Sequence, residues 1–132
     1  MEKLLESITN RIIGAAIKVH RGLGPGLLES AYETCLAFEL RELGLKVEQQ
    51  KPLPVVYRGI SLDCAYRLDL LIEEKVIIEV KAVNTVIPIH EAQLLSYLKL
   101  SGCEVRLILN FNVKMLKEGI HRVANSKMNS FA

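Results

Sequence analysis

An apolar hairpin at residues 66–83 constrains the fold of this chain more than any other feature. Its two arms are rich in Leu, Ile and Val, as β-strands often are, and a charged turn at residues 73–75 joins them. A three-residue turn places Asp69 directly opposite Glu79, where paired Cβ atoms lie about 5 Å apart and like charges repel. Lys81 shares the face of Glu79, because side chains alternate along a strand. The sequence therefore predicts two repelling carboxylates and a lysine within an apolar sheet.

The carboxylate pair is typical of a site for a divalent cation. Mg²⁺ prefers hard oxygen ligands, which Asp69 and Glu79 supply, and the backbone carbonyl of Val80 is a third candidate ligand. Lys81 would then orient and deprotonate a water molecule or stabilise the transition state of phosphodiester hydrolysis. The alternative is a structural patch in which Lys81 neutralises both carboxylates. An acidic residue two positions before a lysine is, by itself, more often structural than catalytic.

The composition indicates one globular domain spanning residues 1–132. Half of the residues are hydrophobic, but no apolar run approaches the roughly 20 residues that span a bilayer, so we expect no membrane association. The net charge of +2 does not by itself indicate a nucleic-acid partner. Three widely spaced cysteines, Cys35, Cys64 and Cys103, suit free thiols in a reducing compartment better than a disulfide framework. We therefore expect a cytoplasmic protein.

Hydrophobic periodicity and turn residues predict the elements around this hairpin. The predicted helices cover residues 1–21, 27–43 and 88–100, and the predicted strands cover residues 45–50, 53–57, 60–72, 76–83, 104–111 and 120–123. The third helix joins two strands by a crossover, which should make those strands parallel. The polar tail at residues 125–132 is expected to fray. This order predicts an α/β domain, a mixed β-sheet flanked by helices.

Two of the predicted helices carry further candidate site residues. Glu29, in the first turn of the second helix, is either a solvated charge that favours the helix dipole or another metal ligand, and spacing alone favours the first. Gln93 and Tyr97 lie four residues apart on one face of the third helix, where they would contact substrate phosphate or the attacking water. Arg67, on the strand of Asp69, either binds phosphate or pairs with a carboxylate.

These residues resemble the signature of the PD-(D/E)XK nuclease superfamily. Asp69 followed by Glu79-Val80-Lys81 corresponds to its acidic pair and lysine. The segment Gln93-Leu94-Leu95-Ser96-Tyr97 is similar to the Q-x-x-x-Y motif of the RecB-like branch. The segment at residues 26–32, GLLESAY, matches the motif of the small GxxExxY family, which is assigned to this superfamily. The resemblance extends from about residue 20 to residue 123.

The resemblance implies a restriction-endonuclease-like core with the order α-β-β-β-α-β. It also implies that Glu29 is the upstream acidic ligand of a Mg²⁺ site, in which Mn²⁺ would substitute. The proline of the superfamily's name is absent, because Leu68 precedes Asp69. The four-cysteine iron–sulfur cluster of some RecB-like relatives is not expected either, because the three cysteines do not match its pattern.

The leading functional hypothesis is a Mg²⁺-dependent nuclease acting on nucleic acid, with DNA as the expected substrate. The alternative is a non-catalytic nucleic-acid-binding or assembly module on the same scaffold. A small domain with a modest net charge has little surface for holding a duplex, so a homodimer or a partner protein would extend it. A phosphohydrolase acting on small nucleotides is a third hypothesis.

Overall fold

A computed structural model describes residues 2–63, 66–90, 102–103 and 105–124 of the chain. The elements are α1 Glu2–Leu23, α2 Glu29–Glu42, β1 Val47–Pro52, β2 Val55–Tyr57, β3 Ile60–Leu62, β4 Arg67–Ile72, β5 Val76–Lys81, β6 Val105–Asn110 and β7 Ile120–Ala124, with one turn of 3-10 helix at Leu116–Gly119. Residues 88–90 are helical, as expected for the start of the third predicted helix. Its continuation to residue 100 and the tail at 125–132 lie outside the described residues.

The main sheet has five strands in the order β1-β4-β5-β6-β7. The pairs β1/β4, β4/β5 and β6/β7 are antiparallel, whereas β5 and β6 are parallel, as a crossover connection requires. Ile72 faces Val76 across the turn at residues 73–75, which is the register that a three-residue turn predicts. The predicted α/β class, a mixed sheet flanked by helices in the manner of restriction endonucleases, is confirmed.

The two long helices cover one face of this sheet. Their buried stripes pack against strand residues of alternate positions in a single cluster that includes Ile8, Ile12, Ala16, Val19, Tyr32, Leu36, Leu40, Leu70, Ile72, Ile78, Val80, Leu107 and Leu109. A second cluster, built from Leu68, Leu71, Ile77, Cys103 and Ile108, lies on the opposite face. Strand β5 therefore contributes to both clusters, as its nearly continuous β-branched sequence predicted.

The predicted strand at residues 60–72 is wrong, because the chain forms two strands in two different sheets. Strand β4 pairs with β1 only as far as the Pro52–Arg67 pair, and one more hydrogen bond joins the Leu53 N–H to the Tyr66 carbonyl at 3.0 Å. Proline donates no backbone hydrogen bond, so Pro52 and Pro54 end the ladder. The chain between them and β4 instead folds on itself as the β2–β3 hairpin.

The helix boundaries differ from the predicted ones by a few residues. Helix α1 continues past residue 21 to Leu23 and ends at Gly24, whose φ of +70° is favourable for glycine. Helix α2, predicted to reach residue 43, ends at Glu42, and Leu43 beyond it is 45% exposed. In the described part of the chain, none of the helices combines the length and hydrophobicity needed to cross a bilayer.

Candidate functional site

The ladder between β4 and β5 stops at Asp69. The observed pairs run from Ile72–Val76 to Leu70–Ile78. One more step would place Asp69 opposite Glu79, but the strands diverge there, and the N–H of Val80 donates to Asp69 Oδ2 at 2.8 Å. The carboxylate of Asp69 therefore occupies the gap beyond the last pair of the ladder, and the predicted direct pairing of Asp69 with Glu79 is not part of that ladder.

Glu79 is the buried carboxyl group of this site. Its residue is only 8% exposed, and its Oε1 has no hydrogen-bond partner within the described residues. The pKa of Glu79 is raised to about 9. Burial is the largest cause, followed by the negative charge of Asp69 and by a hydrogen bond with the Asp69 side chain. The positive charge of Lys81 opposes the rise in pKa. A cation in contact with both carboxyl groups would remove their repulsion.

The backbone of Val80 lies beside the carboxyl pair. Within a β-strand, the N–H and C=O of one residue point to the same neighbouring strand. Because the Val80 N–H donates to Asp69, we expect the Val80 carbonyl to point toward the same gap. The geometry thus fits the prediction that this carbonyl is available as an oxygen ligand.

Glu29 reaches the same edge of the sheet from the first turn of α2. Its Oε2 accepts a hydrogen bond at 3.2 Å from the N–H of Ala82, the residue that follows Lys81. The side chain is exposed. The helix-dipole interpretation and the ligand interpretation both suit this position, since a carboxylate in the first turn here extends over the end of β5.

Tyr32 positions Glu29, because it holds the glycine-rich segment that precedes α2. Its buried ring stacks on Phe111, with centroids 4.6 Å apart and planes at 8°. Its hydroxyl donates to the Gly24 carbonyl at 2.6 Å and accepts from the Leu27 N–H at 3.0 Å. The structure therefore explains why a tyrosine follows the glutamate by three residues in GLLESAY: the tyrosine anchors the segment from which the glutamate projects.

Replacing Tyr32 by Phe should destabilise the protein by roughly 1–3 kcal/mol, because two buried hydrogen bonds to backbone groups are lost. Thermal unfolding should show a melting temperature lower by roughly 4–10 °C. Tyr57→Phe is the matched control, since its side chain is exposed and its melting temperature should not change. Equal melting temperatures for the Tyr32 variant and the wild type would contradict this anchoring role.

Glu33 is a residue of this region that sequence reasoning missed. Burial raises the pKa of Glu33, and the negative charge of Asp69 raises it further. Glu33 follows Glu29 by four residues, and side chains at this spacing share a face of a helix. That spacing was the available signal, but it does not reveal which strand the face meets.

Gln50 joins α2 to the carboxyl pair. Its Nε2 donates to Glu33 Oε1 at 2.8 Å and to Asp69 Oδ1 at 3.3 Å. Gln50 has a φ of +50° within β1, which is unusual for a residue other than glycine. The amide thus holds Asp69 from the side opposite Val80 and neutralises none of its charge.

Lys81 lies at the carboxyl end of β5, half-buried, on the face of Glu79. The ion pairs found within 4.0 Å among the described residues do not include Lys81. Its backbone is tied to β6, because the Lys81 carbonyl accepts from the Phe111 N–H at 2.9 Å and Asn110 holds both backbone groups of Val83. The ammonium group is therefore near the carboxyl pair, and within the described part of the chain it forms no direct salt bridge.

Arg67 contacts a carboxylate other than the two in the site. Its Nη1 lies 3.7 Å from Asp63 Oδ1 and donates to the Tyr66 carbonyl at 2.9 Å. The arginine is exposed and is the first residue of β4. Of the two interpretations of Arg67, carboxylate pairing is present in this structure, and phosphate binding stays a prediction.

The structure brings Asp69, Glu79, Glu29 and Lys81 to one edge of the sheet, whereas Gln93 and Tyr97 lie outside the described residues. Among the residues that are described, no three His, Cys, Asp or Glu side chains already form a metal-binding arrangement. The orphaned Glu79 oxygen and the contact between two carboxyl groups nevertheless fit a divalent cation.

Comparison with known proteins gives a family. The family model described as the PD-(D/E)XK nuclease superfamily matches residues 6–123, which include every described element of the site. Searches of curated protein sequences and of solved structures gave no significant match. The matched span covers most of the chain, and the mixed sheet is consistent with the fold of this superfamily. The chain therefore belongs to the PD-(D/E)XK nuclease superfamily.

Proposed function

We propose that the protein is a divalent-metal-dependent nuclease that cleaves DNA. Asp69, Glu79 and the Val80 carbonyl bind the metal, with Glu29 as a further ligand from α2. Mg²⁺ is the proposed ion and Mn²⁺ its substitute. The observation that carries the proposal is a buried carboxyl group in contact with a second one: burial first, and then the charge of Asp69, raise the pKa of Glu79 to about 9. Ionisation of both groups is unfavourable until a cation binds between them, which is typical of a metal site.

The chain's own side chains divide the remaining work. A divalent cation at Asp69 and Glu79 would neutralise phosphoryl oxygens and lower the pKa of a water molecule. Lys81 orients that water or stabilises the charge of the transition state. Among the described residues its ammonium group forms no ion pair within 4.0 Å, so it is available for this role. Gln50 holds Asp69 in position. Arg67, Gln93 and Tyr97 contact the substrate.

Within the superfamily, we assign the chain to the RecB-like branch and to the small GxxExxY family. The support is the segment at residues 26–32 and the Gln93–Tyr97 spacing, together with the role of Tyr32 in holding Glu29 over β5. We further propose a cytoplasmic enzyme whose small surface is extended by a second copy or a partner protein when it holds DNA.

The cleavage test compares linear duplex, circular duplex, single-stranded DNA and RNA, each with Mg²⁺, Mn²⁺ or a chelator. DNA should be cleaved with either metal and remain intact with chelator. Asp69→Asn should remove cleavage, because one ligand charge is lost. Glu42→Gln, at the exposed end of α2, is the control and should cleave at the wild-type rate.

A folded, metal-saturated wild-type protein that cleaves none of these nucleic acids would refute the proposed nuclease. Release of phosphate or nucleoside from free nucleotides would instead indicate the phosphohydrolase hypothesis. Cleavage of RNA alone would keep the nuclease and correct its substrate.

The non-catalytic alternative has one observation in its favour. Glu29 already accepts a hydrogen bond from the Ala82 N–H. Among the described residues, no third acidic side chain completes a metal site with Asp69 and Glu79. A binding module would bind nucleic acid without metal-dependent cleavage. Its affinity would be unchanged by Asp69→Asn, whereas a metal-dependent enzyme would respond to that change.

A further inference from the structure

The β2–β3 hairpin, residues 55–62, stands apart from the main sheet. Among the described residues its strands pair only with each other, with Val55 opposite Leu62 and Tyr57 opposite Ile60. Hairpins of two short strands are marginally stable in water without further packing. The hairpin therefore contributes little to the core, and another role must account for its apolar sequence.

One face of the β2–β3 hairpin carries four apolar side chains, three of them exposed. The Tyr57–Ile60 and Val55–Leu62 pairs lie on this face, and Tyr57 and Ile60 are 62% and 60% exposed. Surface strands usually alternate polar outward residues with apolar inward ones. Contiguous exposed apolar side chains instead mark surfaces that bind a partner.

The turn of the hairpin carries a second, independent signal. Arg58 has a φ of +52° and Gly59 a φ of +78°, so both central residues are left-handed, as in a type I′ turn. Asn, Asp or Gly is favoured at the first of these positions, and arginine is disfavoured there. A side chain retained in an unfavourable backbone conformation is often functional. Here that residue is an arginine, and it directly follows the exposed Tyr57 in the chain.

The β2–β3 hairpin lies in the chain between β1, which carries Gln50, and β4, which carries Asp69. Its root is the hydrogen bond between Leu53 and Tyr66, and Tyr66 is also exposed. Tyr66 precedes Asp69 by three residues, a chain path of about 10 Å in an extended strand. Arg67 lies between them at the sheet edge. A tyrosine followed by an arginine thus stands both at the tip of the hairpin and at the start of the strand that carries Asp69.

We propose that the β2–β3 hairpin binds unpaired bases of the strand whose phosphate lies at Asp69 and Glu79. Tyr57 stacks on a base, and Arg58 contacts a backbone phosphate. Base faces are available to an aromatic side chain only where the bases are unstacked, as in single strands and frayed ends. The inference rests on the proposed nuclease function and names its substrate class, which is single-stranded or frayed nucleic acid.

The test measures binding of the full chain, in the presence of chelator, to a labelled single strand and to a blunt duplex containing the same sequence. Fluorescence anisotropy should show tighter binding of the single strand. Tyr57→Ala should weaken that binding about tenfold, the loss expected for one base–aromatic stack. Tyr57→Phe should bind like the wild type, because the ring is kept. Phe38→Ala, which removes a comparably exposed ring on α2, should also bind like the wild type.

Salt dependence separates the role of Arg58 from that of Tyr57. Loss of one phosphate contact should make the slope of log affinity against log salt shallower by about 0.7 for a single strand. Arg58→Ala should show this change, whereas Tyr57→Ala should lower affinity at an unchanged slope. Lys117→Ala, an exposed lysine on the 3-10 turn, is the control and should leave both quantities unchanged.

Three results would overturn the inference: equal single-strand affinities for Tyr57→Ala and Phe38→Ala, blunt-duplex binding as tight as single-strand binding, or a wild-type dimer that Tyr57→Ala converts to a monomer in sedimentation. The last would make the hairpin a self-association surface. Because binding is measured with chelator, the two proposals fail separately. If the protein cleaves DNA but its binding does not depend on Tyr57, the proposed role of the hairpin is wrong. If it binds through Tyr57 but the metal-loaded protein cleaves nothing, the proposed nuclease function is wrong.

Discussion

Replacing Glu79 by Gln is expected to abolish metal-dependent cleavage and, without metal, to make the protein more stable near pH 8. Cleavage is lost because a neutral amide cannot supply the ligand charge. Stability rises because Glu79 is ionised in the unfolded chain near pH 8 and must take up a proton on folding, a cost that the neutral amide does not have. A gain of roughly 1–3 kcal/mol in the free energy of unfolding is the scale for relieving a buried group of this kind. Activity and stability should therefore change in opposite directions.

The pH dependence of this effect has a definite sign. The pKa of Glu79 is about 9 in the metal-free folded protein, against an ordinary value of 4.5. Between these values the folded state binds more protons than the unfolded state, so the free energy of unfolding falls as pH rises. The contribution is fully present below pH about 4.5 and is lost as pH rises through about 9. Glu79→Gln should remove this part of the pH dependence.

Urea unfolding near pH 5 and pH 8, with and without Mg²⁺, measures both parts of this prediction. Without metal, the variant should be the more stable protein near pH 8 and close to the wild type near pH 5. Saturating Mg²⁺ should stabilise the wild type, by about 2.7 kcal/mol at a hundred times Kd, and leave the variant unchanged. Glu42→Gln, at an exposed position, should follow the wild type throughout. A wild type that is more stable than Glu79→Gln near pH 8 without metal would contradict the raised pKa of Glu79 in the folded protein.

The register of the β4–β5 hairpin is the part of the site that sequence predicts best. A turn of three residues determines the pairing of Ile72 with Val76, and this pairing brings Asp69 and Glu79 together before any tertiary contact is known. The burial of β5 follows in the same way from its apolar residues. These predictions succeed because they depend on interactions between residues close in the chain.

The predictions that failed depend on partners distant in the chain. The alternation of apolar residues continues from Leu62 to Leu70, so nothing in that pattern reveals a break between β3 and β4. The break comes from Pro52, at the end of the opposing strand, and from Pro54 just beyond it, and their effect is visible only when the pairing is known. The β2–β3 hairpin was missed for this reason.

Glu33 was missed for a related reason. Its role depends on Gln50, which contacts both Glu33 and Asp69 from a left-handed backbone conformation in β1. The pattern of α2 contains the spacing from Glu29 to Glu33 but no information about β1. Sequence can thus nominate the carboxyl groups on a helix, and only the packing shows which of them approaches the site.

Replacing Lys81 by Ala should lower the rate of single-turnover cleavage by about 10²–10⁴, the usual contribution of a general acid or base. Metal affinity should change much less, because two effects oppose each other. Removing the ammonium charge favours a bound cation, but it also raises the pKa of Glu79, since Lys81 holds that pKa down. Calorimetric titration with Mg²⁺ beside a cleavage assay measures the two quantities separately.

Lys81→Arg distinguishes the two roles proposed for this lysine. Arginine keeps the positive charge but does not deprotonate at accessible pH, so it can stabilise a transition state and cannot act as a base. Substantial cleavage by Lys81→Arg would assign Lys81 to charge stabilisation, whereas a loss equal to that of Lys81→Ala would assign it to the attacking water. Lys117→Ala, outside the site, should retain the wild-type rate. Wild-type cleavage by Lys81→Ala would remove Lys81 from the catalytic centre, because the ammonium group that lies beside the carboxyl pair would then serve neither role.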